Sequence, residues 1–337
     1  VLTGVLTGPA AAQPAPAWTD RVDLVAGDDG EPEVGPASVR GEWVPGAAWR
    51  SEDVWGGDRV LFVEFDGPSP HTLMARISDV AGAFVETLDV LRPGAAAEWS
   101  RLRAEDPDAV LVLTRETQRA EAIGALLEHR FRRLFFEKPL VARHGQENVC
   151  EEDFFTARDL LKQAEAMGTA TAMVFNYRFF EQTKRAARLV AERSFGQALQ
   201  VVAYSHYATW SHVIDLIHLF AGPIVTMAAI DSAEARGAGD NKAVDVGAAF
   251  RFANGAIGTI LGTTSPSFAF PLFELTINFE GGRVHMRDLD GEMEVLDYSG
   301  TCHEIIAPNT NASRWDHYKA SFDKSVGAYL ESIRRSE

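Results

Sequence analysis

The chain is 337 residues long, 46% hydrophobic and 24% charged, a balance that excludes wholesale disorder and allows two domains with large cores. Its 48 acids against 32 bases give a net charge of −16, which repels phosphate backbones and anionic lipid, so neither a nucleic-acid nor a membrane partner is expected. Cys150 and Cys302 are the only cysteines, too few for a disulfide framework or a cysteine-built zinc site, and no apolar run approaches the ~20 residues of a membrane span; a cytoplasmic protein is the expectation.

Residues 1–57 differ from the rest. Val1–Ala17 is small and Pro/Ala-rich and lacks the basic flank of an export signal. Asp20–Asp53 carries nine acids and three arginines, with Pro and Gly at turn-like spacing. An extension packed on the main body, of unreadable role, is expected here.

From Arg59 the pattern sharpens. Arg59–Phe65 is a short apolar run suited to a buried strand. Ser69 and Pro70 then supply an N-cap and a first helical residue, predicting a helix to about Val80. Strands are expected at Ala83–Val90, Ala109–Thr114 and Leu134–Glu137, with helices near Ala95–Ala104 and at Gln118–His129. Such alternation predicts an α/β fold, a Rossmann-like doubly wound parallel sheet over residues 58–145. Ligands bind beyond the carboxyl ends of such strands, which places Asp66–Ser69, Thr114–Glu116 and Glu137–Pro139 along one rim. Further on, residues 243–306 alternate as a strand meander with turns at Asn254-Gly255, Gly281-Gly282, Asp290-Gly291 and Ser299-Gly300, and Trp315–Ile333 reads as an amphipathic helix.

A strand ending in Glu137-Lys138-Pro139 after this αβ pattern resembles the Gfo/Idh/MocA oxidoreductases, and Ser211–Gly222 resembles their His-x-x-Asp helix. The resemblance covers about residues 58–337. It implies a C-terminal α/β domain with a large, mostly antiparallel sheet over residues 146–337, with Met173–Phe179 as its first strand. It implies NAD or NADP as cofactor and a small-molecule substrate. It also implies a homo-oligomer, dimer or tetramer, built on the open face of that sheet.

The same resemblance gives Lys138 the position beside nicotinamide and substrate hydroxyl, His212 the catalytic position and Asp215 an orienting one. His212 and Asp215, three residues apart, share a helix face; with Ser211 as the cap, His212 falls in the first turn, where the dipole favours a neutral ring able to act as a base. Lys138 stands out on its own account, as the first of only six lysines beside 26 arginines. Desolvation lets a lysine shed its proton, which an arginine does not do near neutrality. Tyr177, Arg178, Tyr204, Tyr207 and Trp210 near strand ends suit a polyhydroxylated or carboxylated ligand, and equally suit sheet packing. A metal at His206, His212, Asp215 and His218 lacks a further ligand at defined spacing, so none is expected.

The cofactor half departs from the family pattern. Where a G-x-G-x-x-G loop belongs, the chain reads Glu64-Phe65-Asp66-Gly67-Pro68-Ser69, with acids at two glycine positions. A carboxylate about 4 Å from a phosphate charge costs roughly 4 kcal/mol at an effective dielectric of about 20. The family's Thr-Pro-x-x-x-His loop keeps only Thr114, although Arg115 and Arg119 offer a grip on phosphate. Ala208 stands where an aspartate is usual. Gly67, Ser69, Asp89 (for ribose hydroxyls), Thr114, Arg115, Glu137 and Pro139 remain the candidate cofactor-binding residues. Three functions are therefore open: hydride transfer with NAD or NADP, cofactor-independent acid–base chemistry (isomerase, lyase or cyclase) on the same fold, or a non-catalytic ligand sensor.

Overall fold

The structure, a computed structural model, describes residues 60–63, 74–78, 84–89, 99–100, 103–104, 106–237, 242–264, 271–300, 302–307 and 313–335. The chain divides into two compact units, Val1–Val174 with Tyr329–Glu337, and Phe175–Ala328. The expectations for residues 1–57 and for Glu64–Ser69, Gly67 and Ser69 included, lie outside the described residues.

The first unit is built on a six-stranded sheet of β1 (Val60–Val63), β2 (Met74–Ser78), β3 (Phe84–Asp89), β4 (Ala109–Val112), β5 (Arg133–Phe136) and β6 (Ala170–Met173), ordered β3-β2-β1-β4-β5-β6. Strands β1, β4, β5 and β6 run parallel. The unbroken apolar run Ala-Val-Leu-Val of β4, buried throughout, follows from cover on both faces. Val110, Val112, Leu134 and Phe136 pack against Ile123, Leu126 and Leu127 of α1 (Glu116–Glu128). On the opposite face Phe135 stacks on Tyr329, ring centroids 4.4 Å apart, from α5 (Arg314–Arg334). Helix α2 (Glu151–Ala166) precedes β6, the last parallel strand.

Two sequence expectations are corrected here. The helix predicted through Val80 is interrupted by β2, which pairs antiparallel with both β1 (Phe62 opposite Arg76) and β3. The Ser69-Pro70 signal is local, whereas Met74–Ser78 lies between two strands that satisfy its backbone; pairing overrides capping propensity. The chain thus returns between β1 and β2 instead of crossing over, and this end of the sheet is a meander. Second, Met173–Phe179 is not the first strand of the second sheet. Met173 ends β6 in the first sheet, and Asn176–Phe179 forms a 3-10 turn fixed by Asn176, fully buried, whose Nδ2 donates to Ser321 Oγ at 2.9 Å.

The second unit carries an eight-stranded sheet, ordered β14-β13-β12-β11-β7-β10-β9-β8. It comprises β7 (Ala198–His206), β8 (Ile224–Arg236), β9 (Ala243–Phe252), β10 (Ile257–Thr263), β11 (Phe273–Phe279), β12 (Gly282–Arg287), β13 (Met293–Asp297) and β14 (Cys302–Ile306). Every neighbouring pair is antiparallel except β7 with β10. Period-two alternation fixes the register: β11 buries Phe273, Leu275, Ile277 and Phe279 and turns Glu274 out. The predicted Asn254-Gly255 turn is present, with Gly255 at φ 89° and Asn254 Oδ1 accepting from Ala256 N at 3.0 Å. Helix α4 (Trp210–Ala221) inserts Val213, Leu216 and Ile217 into the core over the inner face. The opposite face leaves Val202, Ile230, Ile257 and Leu261 exposed. Helix α3 (Glu181–Glu192) contributes Ala186, Leu189 and Val190 to the same core.

Candidate functional site

In the first unit the carboxyl ends of β4 and β5 lead directly into Thr114 and Glu137, the rim where open α/β sheets take ligands. The loop after β5 is tightly held. Glu137 N donates to Val112 O at 3.4 Å, Ala142 N donates to Glu116 O at 3.3 Å, and the Lys138–Pro139 peptide is cis. Arg119, from α1, is 1% exposed, and its guanidinium donates to the carbonyls of Thr114, Glu137 (2.7 Å) and Pro139. This corrects the reading of Arg119 as a phosphate grip: its terminal nitrogens are already used by the backbone. Arg115 is exposed at the start of α1. Asp89 ends β3 opposite Met74.

The charges at this rim are coupled. Burial lowers the proton affinity of Lys138, with Arg119 acting in the same direction and Glu137 and Glu116 opposing it. Burial raises the Glu137 carboxyl to about 7 against the pull of Lys138 and Arg119. Burial also brings Arg119 down to about 10, which still leaves it cationic at neutrality. Thr114 Oγ1 is buried with no hydrogen-bond partner among the described residues. An orphaned buried hydroxyl at the carboxyl end of β4 is the kind of group a bound ligand satisfies, and the rim is compatible in this respect with a nicotinamide dinucleotide.

In the second unit α4 carries His212 and Asp215 on one face, as their spacing requires. The N-cap is Thr209, not Ser211: the helix begins at Trp210 and places Ser211 inside its first turn. Gly222, at φ 83°, ends it. His212 is 3% exposed and lies flat on Tyr177, with centroids 4.0 Å apart and planes 9° apart, while Phe175 meets it edge-on at 6.1 Å. Asp215 is gripped by Arg178 through two bonds, Nε to Oδ2 and Nη2 to Oδ1, each 2.6 Å. Burial raises the Asp215 carboxyl above its ordinary value, with Arg178 pulling the other way. Tyr177 is buried, and burial pushes its phenol well above the usual range, so the ring serves His212 as a platform. The 3-10 turn Asn176–Phe179 thus delivers Tyr177 to His212 and Arg178 to Asp215.

Tyr207 and Trp210 lie elsewhere. Two residues before His212, Trp210 projects roughly opposite to it round the helix. There it lines a cavity of about 420 Å³ with Ile214, His218, Met227 and Phe250. Tyr207 packs on Trp210 at 5.6 Å, and both rings cover Gly262, where a Cβ would approach Trp210 to 2.3 Å. Tyr204 is half-buried on β7. His206 is buried, its Nδ1 accepting from Ala208 N at 3.1 Å. Among the described residues no three His, Cys, Asp or Glu side chains are grouped to hold a metal, and no helix is long and apolar enough to cross a membrane.

Sequence reasoning singled out Lys138, His212 and Asp215 as candidates but did not find Arg119 as a loop clamp or Tyr177 as a platform. An arginine inside the buried stripe of α1, in step with Ile123 and Leu126, was the available signal for the first.

No family model and no curated protein sequence matches the chain. Solved structures do match in fold. A crystal structure of an NAD binding oxidoreductase from Klebsiella pneumoniae aligns with TM-score 0.50 at 13% identity over 66% of each chain, about two thirds of its length. Levoglucosan dehydrogenase, in complex with NADH and levoglucosan, aligns with TM-score 0.52 at 17% identity over 69% of this chain and 73% of its own. An oxidoreductase from Agrobacterium radiobacter, in complex with NAD+, L-tartaric acid and magnesium, aligns with TM-score 0.55 at 13% identity over 70% and 73%. The chain therefore shares its mixed α/β architecture with NAD-binding dehydrogenases.

Proposed function

We propose that this chain is an oxidoreductase of the Gfo/Idh/MocA type that moves a hydride between NAD or NADP and a hydroxyl or keto group of a small sugar-like or cyclitol-like metabolite. The observation that carries the reading is Lys138: half-buried, lowered in proton affinity by desolvation, and held by a clamped loop at the carboxyl end of a parallel strand. Thr114, Glu137 and Pro139 hold the cofactor locally, and the cofactor supplies the hydride acceptor or donor. Lys138 in the first unit and His212 in the second are each assigned a proton-handling role. Asp215, fixed by Arg178, keeps its face of α4 in one arrangement. The exposed apolar face of the second sheet supports a homo-oligomer.

The direct test follows nicotinamide absorbance with a panel of sugars, polyols and cyclitols. Turnover in the parent that is lost in Lys138→Met and His212→Ala supports the reading. Turnover that survives both substitutions refutes it.

One specific observation favours a second reading, cofactor-independent acid–base chemistry. Strand β2 runs antiparallel to β1, so the chain turns back where a dinucleotide fold crosses over, and the intervening sequence carries Glu64 and Asp66. In that reading the same proton-handling groups perform chemistry without redox change, and product forms with no nicotinamide present.

A further inference from the structure

We propose that Arg119 is a positioning residue for Lys138: its guanidinium ties the end of β4 to the loop after β5 and so fixes where the Lys138 ammonium stands and how readily it gives up its proton. The inference rests on the reading of Lys138 as the proton-handling group of the first unit.

The geometry is specific to a guanidinium. The three carbonyls that receive Arg119 belong to Thr114, just past β4, and to Glu137 and Pro139, which flank Lys138 on either side. A planar fork with donors on two terminal nitrogens spans carbonyls from two strand ends, which neither an imidazole nor a single ammonium does. The Gfo/Idh/MocA Thr-Pro-x-x-x-His pattern has histidine at the place where this chain has Arg119. Arg119 is 1% exposed, so its bonds do not compete with water. A buried cation that only filled the core would be a poor choice, since burial of charge is unfavourable unless the donors are used; here the carbonyls on both sides of Lys138 use them.

The charge matters as well as the shape. Among the described residues, the charges that act on Lys138 are those of Glu137 on its own loop and of Glu116 and Arg119 on α1. The two carboxylates favour the ammonium, and Arg119 is the one cation among these three that disfavours it. Removing that charge raises the proton affinity of Lys138, and releasing the loop lets the amine reach solvent, which acts in the same direction.

The experiment is pH-dependent labelling of the full chain with an amine-specific reagent, read at Lys138 by peptide mass spectrometry, with Lys162 as the internal reference. The midpoint of the profile reports proton affinity independently of access. In Arg119→Met the midpoint is expected to rise by about one pH unit, a roughly tenfold drop in free amine at a given pH below it. Arg119→Lys keeps a cation but has one nitrogen for three carbonyls, and its midpoint is expected between the parent and Arg119→Met. Circular dichroism establishes that each variant is folded. A folded Arg119→Met with an unchanged Lys138 midpoint overturns the proposal, because a purely structural arginine would lower stability without moving that profile. If Arg119→Met does not fold, the midpoint of Arg119→Lys decides in the same way. An Arg119→Lys that fails to fold also overturns it, since the guanidinium is then a folding requirement. The labelling needs neither cofactor nor substrate, so failure of the hydride reading leaves this result standing on its own.

Discussion

Arg178 and Asp215 meet in a bidentate pair, with two hydrogen bonds of 2.6 Å between residues 37 apart in sequence. Asp215 is 7% exposed, so the pair lies where removing one partner strands the other. Arg178→Leu is expected to destabilise the protein by about 3 kcal/mol in urea unfolding. The pH dependence has a definite sign. A buried carboxyl with raised proton affinity binds more protons folded than unfolded, so stability falls as pH rises through that window. Without Arg178 the Asp215 carboxyl is raised further, and the loss in Arg178→Leu should be larger at about pH 8 than at about pH 5.

Glu137 offers a second titration. Burial lifts its carboxyl from the ordinary 4.5 to about 7, so between those values the folded protein keeps a proton that the unfolded chain has released. Stability contributed by this group is therefore fully present below about pH 4.5 and declines up to about pH 7. Thermal unfolding of Glu137→Gln across that range should show a flatter profile than the parent, with the gap opening toward neutral pH.

The platform under His212 is separable from its chemistry. Tyr177→Leu keeps an apolar side chain but removes the ring stacked at 4.0 Å, and should cost about 1 kcal/mol beyond lost burial. Because the imidazole then lacks its flat support, turnover should fall roughly tenfold while Arg178 and Asp215 remain paired. Steady-state kinetics with urea unfolding on the same variant separates the two effects.

The parts of this molecule legible from sequence are those whose signals are local and redundant. β11 and β12 alternate cleanly around Gly281-Gly282, and α4 declares itself by His212, Asp215 and Gly222. The errors fall where one local signal competed with a long-range partner. Ser69-Pro70 is a sound helix start, yet β2 is held by strands on both sides, and pairing with β1 and β3 is invisible in the run Met-Ala-Arg-Ile-Ser. Likewise the resemblance implies one strand over Met173–Phe179, but Asn176 opens a 3-10 turn and bonds Ser321, 145 residues away. Arg119 was legible as buried from its helical phase, but the carbonyls that receive it are set by two strand ends and a loop that no periodicity encodes.

The open face of the second sheet gives a prediction about assembly. Val202, Ile230, Ile257 and Leu261 are each more than half exposed on it. Leu261→Arg puts a charge in their midst and should convert the expected homo-oligomer to monomer by light scattering, leaving the circular dichroism spectrum unchanged.

Hydride transfer stands or falls on cofactor binding. Titration of the purified chain with NADH and with NADPH, read as energy transfer from tryptophan to nicotinamide, tests it without knowledge of the substrate. The account predicts saturable binding of one of the two below about 1 mM, the upper end of usual Michaelis constants, weakened by Thr114→Val at the orphaned hydroxyl. No transfer and no thermal shift with either nucleotide at that concentration would contradict it and leave the acid–base reading in its place.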